Sequence, residues 1–417
     1  MTNDWPTTTV GELFDIGAGK SVAPAARHGS RHHPFLRTAN ILWGRIDLTE
    51  VDSMHFSKEE IATKSLEKGD LLVCEGGDIG RSAIWNGEIQ SCSFQNHLHR
   101  LRPKSADVLP RFFMYYLQAG FTQLGIYEGI GNKTTIPNLS RNRLAALEVP
   151  KPPRPEQEKI AAVLWKVQRA IEAETKVVVT TRELKQSAMR HLFTRGLRGE
   201  PQRDTDIGPI PQSWGLRSLS EVAKVERGRF MHRPRNEPRF YGGSMPFVQT
   251  GDVVRSRGWI REYTQTLNEE GVAISRVFPK GTILITIAAN IGFTGVLDFD
   301  SACPDSLVAI TPRELLDTWY LEYFLQTQQP DMDRLAPKGT QKNINIQFLS
   351  PWPVALPQSD EQREIAAILQ AIDHKLSVHE RKRVTLQELF KTLLNQLMTG
   401  ELHVDKLDID TSEVIAA

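Results

Sequence analysis

The sequence predicts an α+β fold: two mixed α/β domains in tandem repeat, joined by two long helices that form an antiparallel coiled coil, the whole pseudo-twofold symmetric. Three observations predict it. Residues 156–164 return almost unchanged as residues 361–369, and the match runs on ungapped to Leu197 against Leu402. Upstream the echo persists with small drifts: Trp5 against Trp214, Gly19-Lys20 against Gly228-Arg229, Pro34-Phe35 against Pro246-Phe247, Lys68-Gly69 against Lys280-Gly281, Ile79-Gly80 against Ile291-Gly292, and Gly131 against Gly339. Each copy closes on about forty residues with apolar side chains at helical spacing, far beyond the usual helix of about a dozen. A repeat of about two hundred residues means duplicated domains, not a solenoid.

The first domain is expected over residues 1–152. Its clearest strand is Asp70-Leu71-Leu72-Val73-Cys74, and a helix is expected at Arg111-Phe112-Phe113-Met114-Tyr115-Tyr116-Leu117, with glycine-punctuated loops between. A proline-rich stretch, Pro150 to Pro155, then leads into a first long helix over residues 153–197, where Pro155 suits position N1 because its fixed φ matches the helix and its missing N–H is not needed there. Ile160, Leu164, Val167, Ile171 and Val178 keep helical spacing, and Leu184, Ala188 and Leu192 resume it. Residues 198–213 are polar and contain proline and glycine, as a surface connector does. The second domain, residues 214–356, repeats the order with a strand at Thr282-Ile283-Leu284-Ile285-Thr286-Ile287 and a helix at Trp319-Tyr320-Leu321-Glu322-Tyr323-Phe324-Leu325. A second long helix follows over residues 357–402, with Ser359 and Gln362 in capping-box spacing and an apolar row of Ile365, Ile368, Leu369, Ile372, Leu376, Leu386, Leu389, Phe390, Leu393, Leu394 and Leu397. Each long helix leaves an apolar stripe that only the other has the length to cover, so antiparallel pairing follows from a pseudo-twofold axis. Residues 403–417 are expected to be a flexible acidic tail.

Composition narrows the function. At 417 residues with a formal net charge of +1, the chain has ordinary globular composition and no overall basic excess. No stretch is apolar enough to span a membrane and the N-terminus lacks a signal pattern, so a cytoplasmic protein is expected. Three cysteines, Cys74, Cys92 and Cys303, show no CxxC spacing and read as free buried thiols.

The order of a variable domain, a proline-rich exit, Glu-Gln-x-x-Ile-Ala-x-x-Leu opening a long helix, a connector reading Ile207-Gly208-Pro209-Ile210-Pro211-x-x-Trp214, and then the whole again resembles the specificity subunit of type I restriction-modification enzymes. The similarity covers essentially the full chain. It implies that each variable unit is a target recognition domain reading one half of a bipartite site in double-stranded DNA. It implies further that the paired helices are a spacer and a platform for two methyltransferase subunits, and through them for the restriction and motor subunits.

The residues supply candidates for the DNA contact. Arginine is concentrated in the same loop of both copies: Lys20, Arg27, Arg31 and His32 in the first, Arg229, Arg233 and Arg235 in the second. Such clustering suits phosphates or base edges, and it also suits a solvated loop. A second loop, Gly131-Asn132-Lys133-Thr134-Thr135-Ile136, is matched by Gly339-Thr340-Gln341-Lys342-Asn343-Ile344 and offers Lys133, Thr134, Gln341 and Lys342 as donors and acceptors, although a turn before a strand has similar composition. Gln95 and Asn96, facing Asp305 and Ser306, could read bases or form a buried polar ladder. Arg37 and Asn40, with counterparts Gln249 and Asp252, read as packing or turn residues.

Other signals fail. Gly17-Ala18-Gly19-Lys20-Ser21 resembles the end of a P-loop, but Phe14 stands where that motif needs glycine. The histidines lack metal-ligand spacing, and no metal or cofactor is expected. Glu75 and Asp78 flank Gly76-Gly77, yet the repeat has Ile287 in place of Glu75, so no catalytic pair is expected. The chain reads as non-catalytic. The competing reading is an interaction scaffold with no DNA partner, which a steep salt dependence of DNA binding separates from the first.

Overall fold

The computed structural model describes residues 5–22, 32–125, 127, 138–232, 236–337, 342–404 and 406–416. The chain forms two compact units. Unit 1 comprises Met1–Thr175 and Arg381–Ala417, and unit 2 comprises Lys176–Glu380. The first long helix, Arg154–Arg195, and the second, Ser359–Thr399, each contribute one half to each unit.

Unit 1 is built on a four-stranded antiparallel sheet in the order Phe14–Ala18, Leu98–Pro103, Leu71–Cys74, Ser82–Ile84. The strand Leu71–Cys74 is buried on both faces, as its unbroken apolar run requires. One face is covered by the helix Pro110–Thr122, whose Phe112, Phe113 and Tyr115 are fully buried. A second sheet sets His32–Leu36 between Asp52–His55 and Ser93–Phe94.

Unit 2 repeats this topology with a larger sheet: Ala223–Arg227, Leu307–Pro312, Ile283–Thr286, Thr294–Leu297 and, at the edge, Gly258–Ile260. Where unit 2 has this edge strand and the preceding helix Thr250–Ser256, unit 1 has the short 3-10 turn Thr38–Asn40 followed by a two-stranded pairing of Ile41–Leu42 with Arg45–Ile46. The helix Thr318–Leu335 covers the sheet and continues through Pro330. Tyr241–Phe247 pairs in parallel with Ser301–Ala302, as His32–Leu36 does with Ser93–Phe94.

The long helices run antiparallel within each unit. In unit 1, Ile160 and Leu164 share a core with Leu394, Leu397 and Met398, and Lys382 pairs with Glu174 at 2.6 Å. In unit 2, Met189, Leu192 and Phe193 share a core with Ile365 and Leu369, and Lys185 pairs with Asp373 at 2.8 Å. Three residues assigned to the apolar seam by spacing, Leu184, Ile368 and Leu389, are exposed instead. A straight α-helix drifts about 20° per heptad against a strict seam, which turns apolar residues at the stripe's edge outward.

The repeated Glu-Gln opening has a structural cause. Trp5 Nε1 donates to Glu156 Oε2 at 3.1 Å, and Trp214 Nε1 donates to Glu361 Oε2 at 3.2 Å. Gln157 accepts from the Leu109 N–H at 2.9 Å and donates to the Asp107 and Pro152 carbonyls at 3.0 and 2.8 Å. Gln362 does the same for Asp317, Leu315 and Pro357, at 2.8, 3.1 and 3.0 Å. The Ser359 to Gln362 capping box is therefore not formed, because the buried amide serves backbone groups of the domain; both long helices also open one residue before the expected N1, at Arg154 ahead of Pro155 and at Ser359 itself, the expected N-cap.

Two further expectations are corrected. The connector contains a two-stranded pairing of Gln202–Arg203 with Ile210–Pro211, and Ile210 enters the core of unit 2. The tail is not wholly free: Val404 and Val414 are buried in the core of unit 1, because its apolar residues are spaced to reach that core between the acids. Among the described residues, no helix is long and apolar enough to cross a membrane.

Candidate nucleic-acid interface

In each unit three chain segments meet at one end of the main sheet. In unit 1, Phe14–Ala18 leads out through Gly19 to Lys20, Leu71–Cys74 leads out to Glu75, and Gln95-Asn96-His97 leads into Leu98–Pro103. These strands are hydrogen-bonded antiparallel neighbours, so the three turns share an end. The Lys20 N–H donates to the Phe94 carbonyl at 3.0 Å, the Asn96 N–H to the Lys20 carbonyl at 2.9 Å, and the Glu75 N–H to the His97 carbonyl at 2.9 Å.

Unit 2 rebuilds the arrangement. The Arg229 N–H donates to the Cys303 carbonyl at 3.0 Å, and Asp305 and Ser306 precede Leu307–Pro312. The glycines ahead of both basic residues are fixed by close approach: a Cβ at Gly19 would lie 2.2 Å from the Gln95 carbonyl oxygen, and one at Gly228 would lie 2.2 Å from that of Pro304. This is why Gly19-Lys20 and Gly228-Arg229 echo each other.

The returning segment also meets this end. The Leu139 N–H donates to the Glu75 carbonyl at 2.7 Å and the Ile344 N–H to that of Ile287 at 2.9 Å. Leu139, not Ile136, is thus the counterpart of Ile344, and the loop of unit 1 is three residues longer than the sequence pairing supposes.

The candidate residues divide. Lys20, Gln95 and Asn96 are brought together in unit 1, as are Arg229, Asp305 and Ser306 in unit 2, with Lys342 two residues from Ile344. The Lys20 ammonium is turned inward, paired with Glu60 and 5.0 Å from the Phe56 ring centroid, and that bond holds the Glu60 carboxyl below its usual range. Arg229 is exposed and donates to the Ser275 carbonyl at 3.1 Å. Lys342 is exposed and pairs with Asp333 at 2.8 Å. Ser306 accepts from Thr250 Oγ1 at 3.4 Å. His32 is exposed at the far end of its strand from Leu36, roughly 13 Å from the turn at about 3.3 Å per residue. Arg27, Arg31, Lys133, Thr134, Arg233, Arg235 and Gln341 lie outside the described residues. Asn40 and Asp252 are turn residues: Asn40 accepts from the Arg37 N–H at 2.9 Å, and Asp252 from the Gln249 N–H at 2.8 Å.

Sequence reasoning weighed the turn Gly76-Gly77-Asp78 only as part of a catalytic pair and passed over its counterpart Ala288-Ala289-Asn290; both follow the central strands and stand at the same end. The echo of Ile79-Gly80 in Ile291-Gly292 was the signal for them. Glu75 faces His97 at 3.6 Å and Asp78 is held by Arg81 at 2.8 Å. Burial pushes the Cys74 thiol up to about 11 and those of Cys92 and Cys303 up to about 12, so all three stay protonated at neutral pH.

The chain is similar to known proteins along nearly its whole length. The family described as type I restriction modification DNA specificity domain matches it twice, at residues 2–181 and 211–388. A putative type I restriction enzyme specificity subunit of Methanocaldococcus jannaschii, MjaX, is 25% identical over 411 residues, spanning 97% of this chain and 95% of its own. The HindI specificity subunit of Haemophilus influenzae is 19% identical over 480 residues, spanning 96% of this chain and 100% of its own. The crystal structure of the type I restriction-modification system S subunit from M. genitalium matches with a TM-score of 0.63 at 18% identity, over 95% of this chain and 97% of that one. A chain from a structure of the type I system concerned with complex assembly matches with a TM-score of 0.58 at 19% identity, over 96% and 100%. Both solved chains share this fold.

Proposed function

Since the chain belongs to the family of type I restriction modification DNA specificity domains, in two copies, we propose that it selects the DNA sequence on which a type I restriction-modification complex acts. Each unit reads one half of an asymmetric bipartite site in double-stranded DNA. The observation that carries this reading is one sheet end built twice on the same backbone with different side chains: Lys20, Gln95, Asn96 and Asp78 in unit 1, Arg229, Asp305, Ser306 and Asn290 in unit 2. A shared frame with unlike side chains suits two unlike half-sites.

The chain itself makes and breaks no bonds in this reading. Two methyltransferase subunits dock on the exposed faces of the long helices and their proline-rich openings, and the restriction and motor subunits join through them, in the cytoplasm. The continuous helices set the separation of the half-sites. One measurement tests the whole: methylated adenines are mapped across the genome of cells expressing the chain with its methyltransferase partner. The expected result is one asymmetric motif with two halves and a fixed gap. A palindromic motif, or methylation without a motif, overturns the reading.

A further inference from the structure

At the end of the central strand of each unit the chain makes the same turn. In unit 2 the Thr286 N–H donates to the Phe293 carbonyl at 2.9 Å, the Gly292 N–H to the Thr286 carbonyl at 2.9 Å, and the Asn290 N–H to the Ala288 carbonyl at 2.8 Å. The Thr286 hydroxyl closes the turn by donating to the Asn290 carbonyl and accepting from the Phe293 N–H. In unit 1 the Cys74 N–H donates to the Arg81 carbonyl at 2.8 Å and the Gly80 N–H to the Cys74 carbonyl at 3.1 Å. Gly77 at φ 74° corresponds to Ala289 at φ 61°, and therefore Asp78 corresponds to Asn290.

An alanine in the left-handed region is strained, and such residues persist where the surroundings dictate the backbone. Here that backbone presents Asn290 outward. Its side-chain amide has no hydrogen-bonding partner among the described residues, and it is exposed. Asp78 is exposed too, with Oδ2 held by Arg81, which is anchored in turn on the Thr38 carbonyl at 2.8 Å. Both turns stand at the sheet end described above, and in unit 2 Ala288 bridges to Asn343, beside Lys342. A rigid turn with a free amide at its tip, set among polar loops, has the form of a base reader. An amide offers a donor and an acceptor and matches adenine N7 and N6 bidentately, whereas a carboxylate only accepts and matches the cytosine N4 amino group.

We propose that this turn determines specificity in each unit, Asn290 contacting an adenine in the half-site of unit 2 and Asp78 a cytosine in the half-site of unit 1. The proposal rests on the DNA-recognition reading. In the complex with the methyltransferase subunits, Asn290→Ala is expected to relax the methylated motif at one position of one half-site and to lower methylation of the parental site by roughly ten- to a hundredfold. Asp78→Asn is expected to change one cytosine position to adenine in the other half-site alone. An unchanged motif with methylation intact overturns the proposal. So does a uniform loss at every site, because truncating an exposed, unbonded amide leaves the fold and the remaining contacts in place. If the parent complex itself methylates without a motif, it is the DNA-recognition reading that fails.

Discussion

Glu322 is wholly buried in unit 2, accepting hydrogen bonds from Thr294 Oγ1 and Gln326 Nε2, both at 2.8 Å, while its Oε2 has no partner. Burial pushes its pKa from the ordinary 4.5 up to about 7, against the opposing pull of its two donors and of Lys185. The folded state therefore holds the proton more tightly than the unfolded chain. The stability this brings is fully present below about 4.5 and is lost as pH rises through about 7, a difference on the order of 3 kcal/mol. Denaturant midpoints for unit 2 should fall between about pH 5 and pH 8, and Glu322→Met, which installs the residue found at Met114 in unit 1, should flatten that slope. A flat profile in the parent would rule this out. Gln157 and Gln362 make a second test at this scale. Replacing either by alanine orphans one buried N–H and two carbonyls and should cost about 2–4 kcal/mol in its own unit, read by urea unfolding. The sequence marked both glutamines as repeated, yet no spacing rule reveals which backbone groups a buried amide serves. The same limit hid Asn290, since a turn's φ angles are set by the hydrogen bonds of its neighbours and not by its composition.

The long helices were legible as elements because forty residues of apolar spacing admit no other structure, and the central strands because an unbroken apolar run of that length must be buried. What periodicity did not decide was which apolar residues face the partner. Leu164 and Leu369 are fully buried, whereas Leu184, equally well placed by spacing, is exposed. Leu164→Asp or Leu369→Asp should cost at least about 3 kcal/mol, with Leu184→Asp within about 0.5 kcal/mol of the parent. Thermal melting of the three variants checks this, and equal losses would mean the seam lies elsewhere. The helix Thr250–Ser256 and strand Gly258–Ile260 were missed for the opposite reason. In the other copy the same stretch is a 3-10 turn and a short strand pairing, so the repeat offered no clear echo, and the run Thr250-Gly251-Asp252 reads as a loop.

For the whole molecule, the duplication gave the architecture, and the proposed reading rests on the doubled sheet end. Exchanging residues 1–152 for the first domain of a relative should change one half of the methylated motif and leave the other half and the gap alone. Removing seven residues from the middle of each long helix keeps the seam in phase and shortens each by about 10.5 Å, so the gap should contract by about three base pairs with both halves retained. A motif altered in both halves by the single exchange would sink the assignment of one reader to each half. The division of the chain has a further consequence for its synthesis. Unit 2 is one contiguous stretch, Lys176–Glu380, but unit 1 needs Leu394, Leu397 and Val404 to cover Ile160 and Leu164. Domains ordinarily mature on the ribosome from the N-terminus onward. Here the half translated first must wait, with its apolar helix face uncovered, until Arg381–Ala417 has emerged, while the half translated second can close before it; a released chain truncated after residue 380 should present unit 1 to a protease and withhold unit 2.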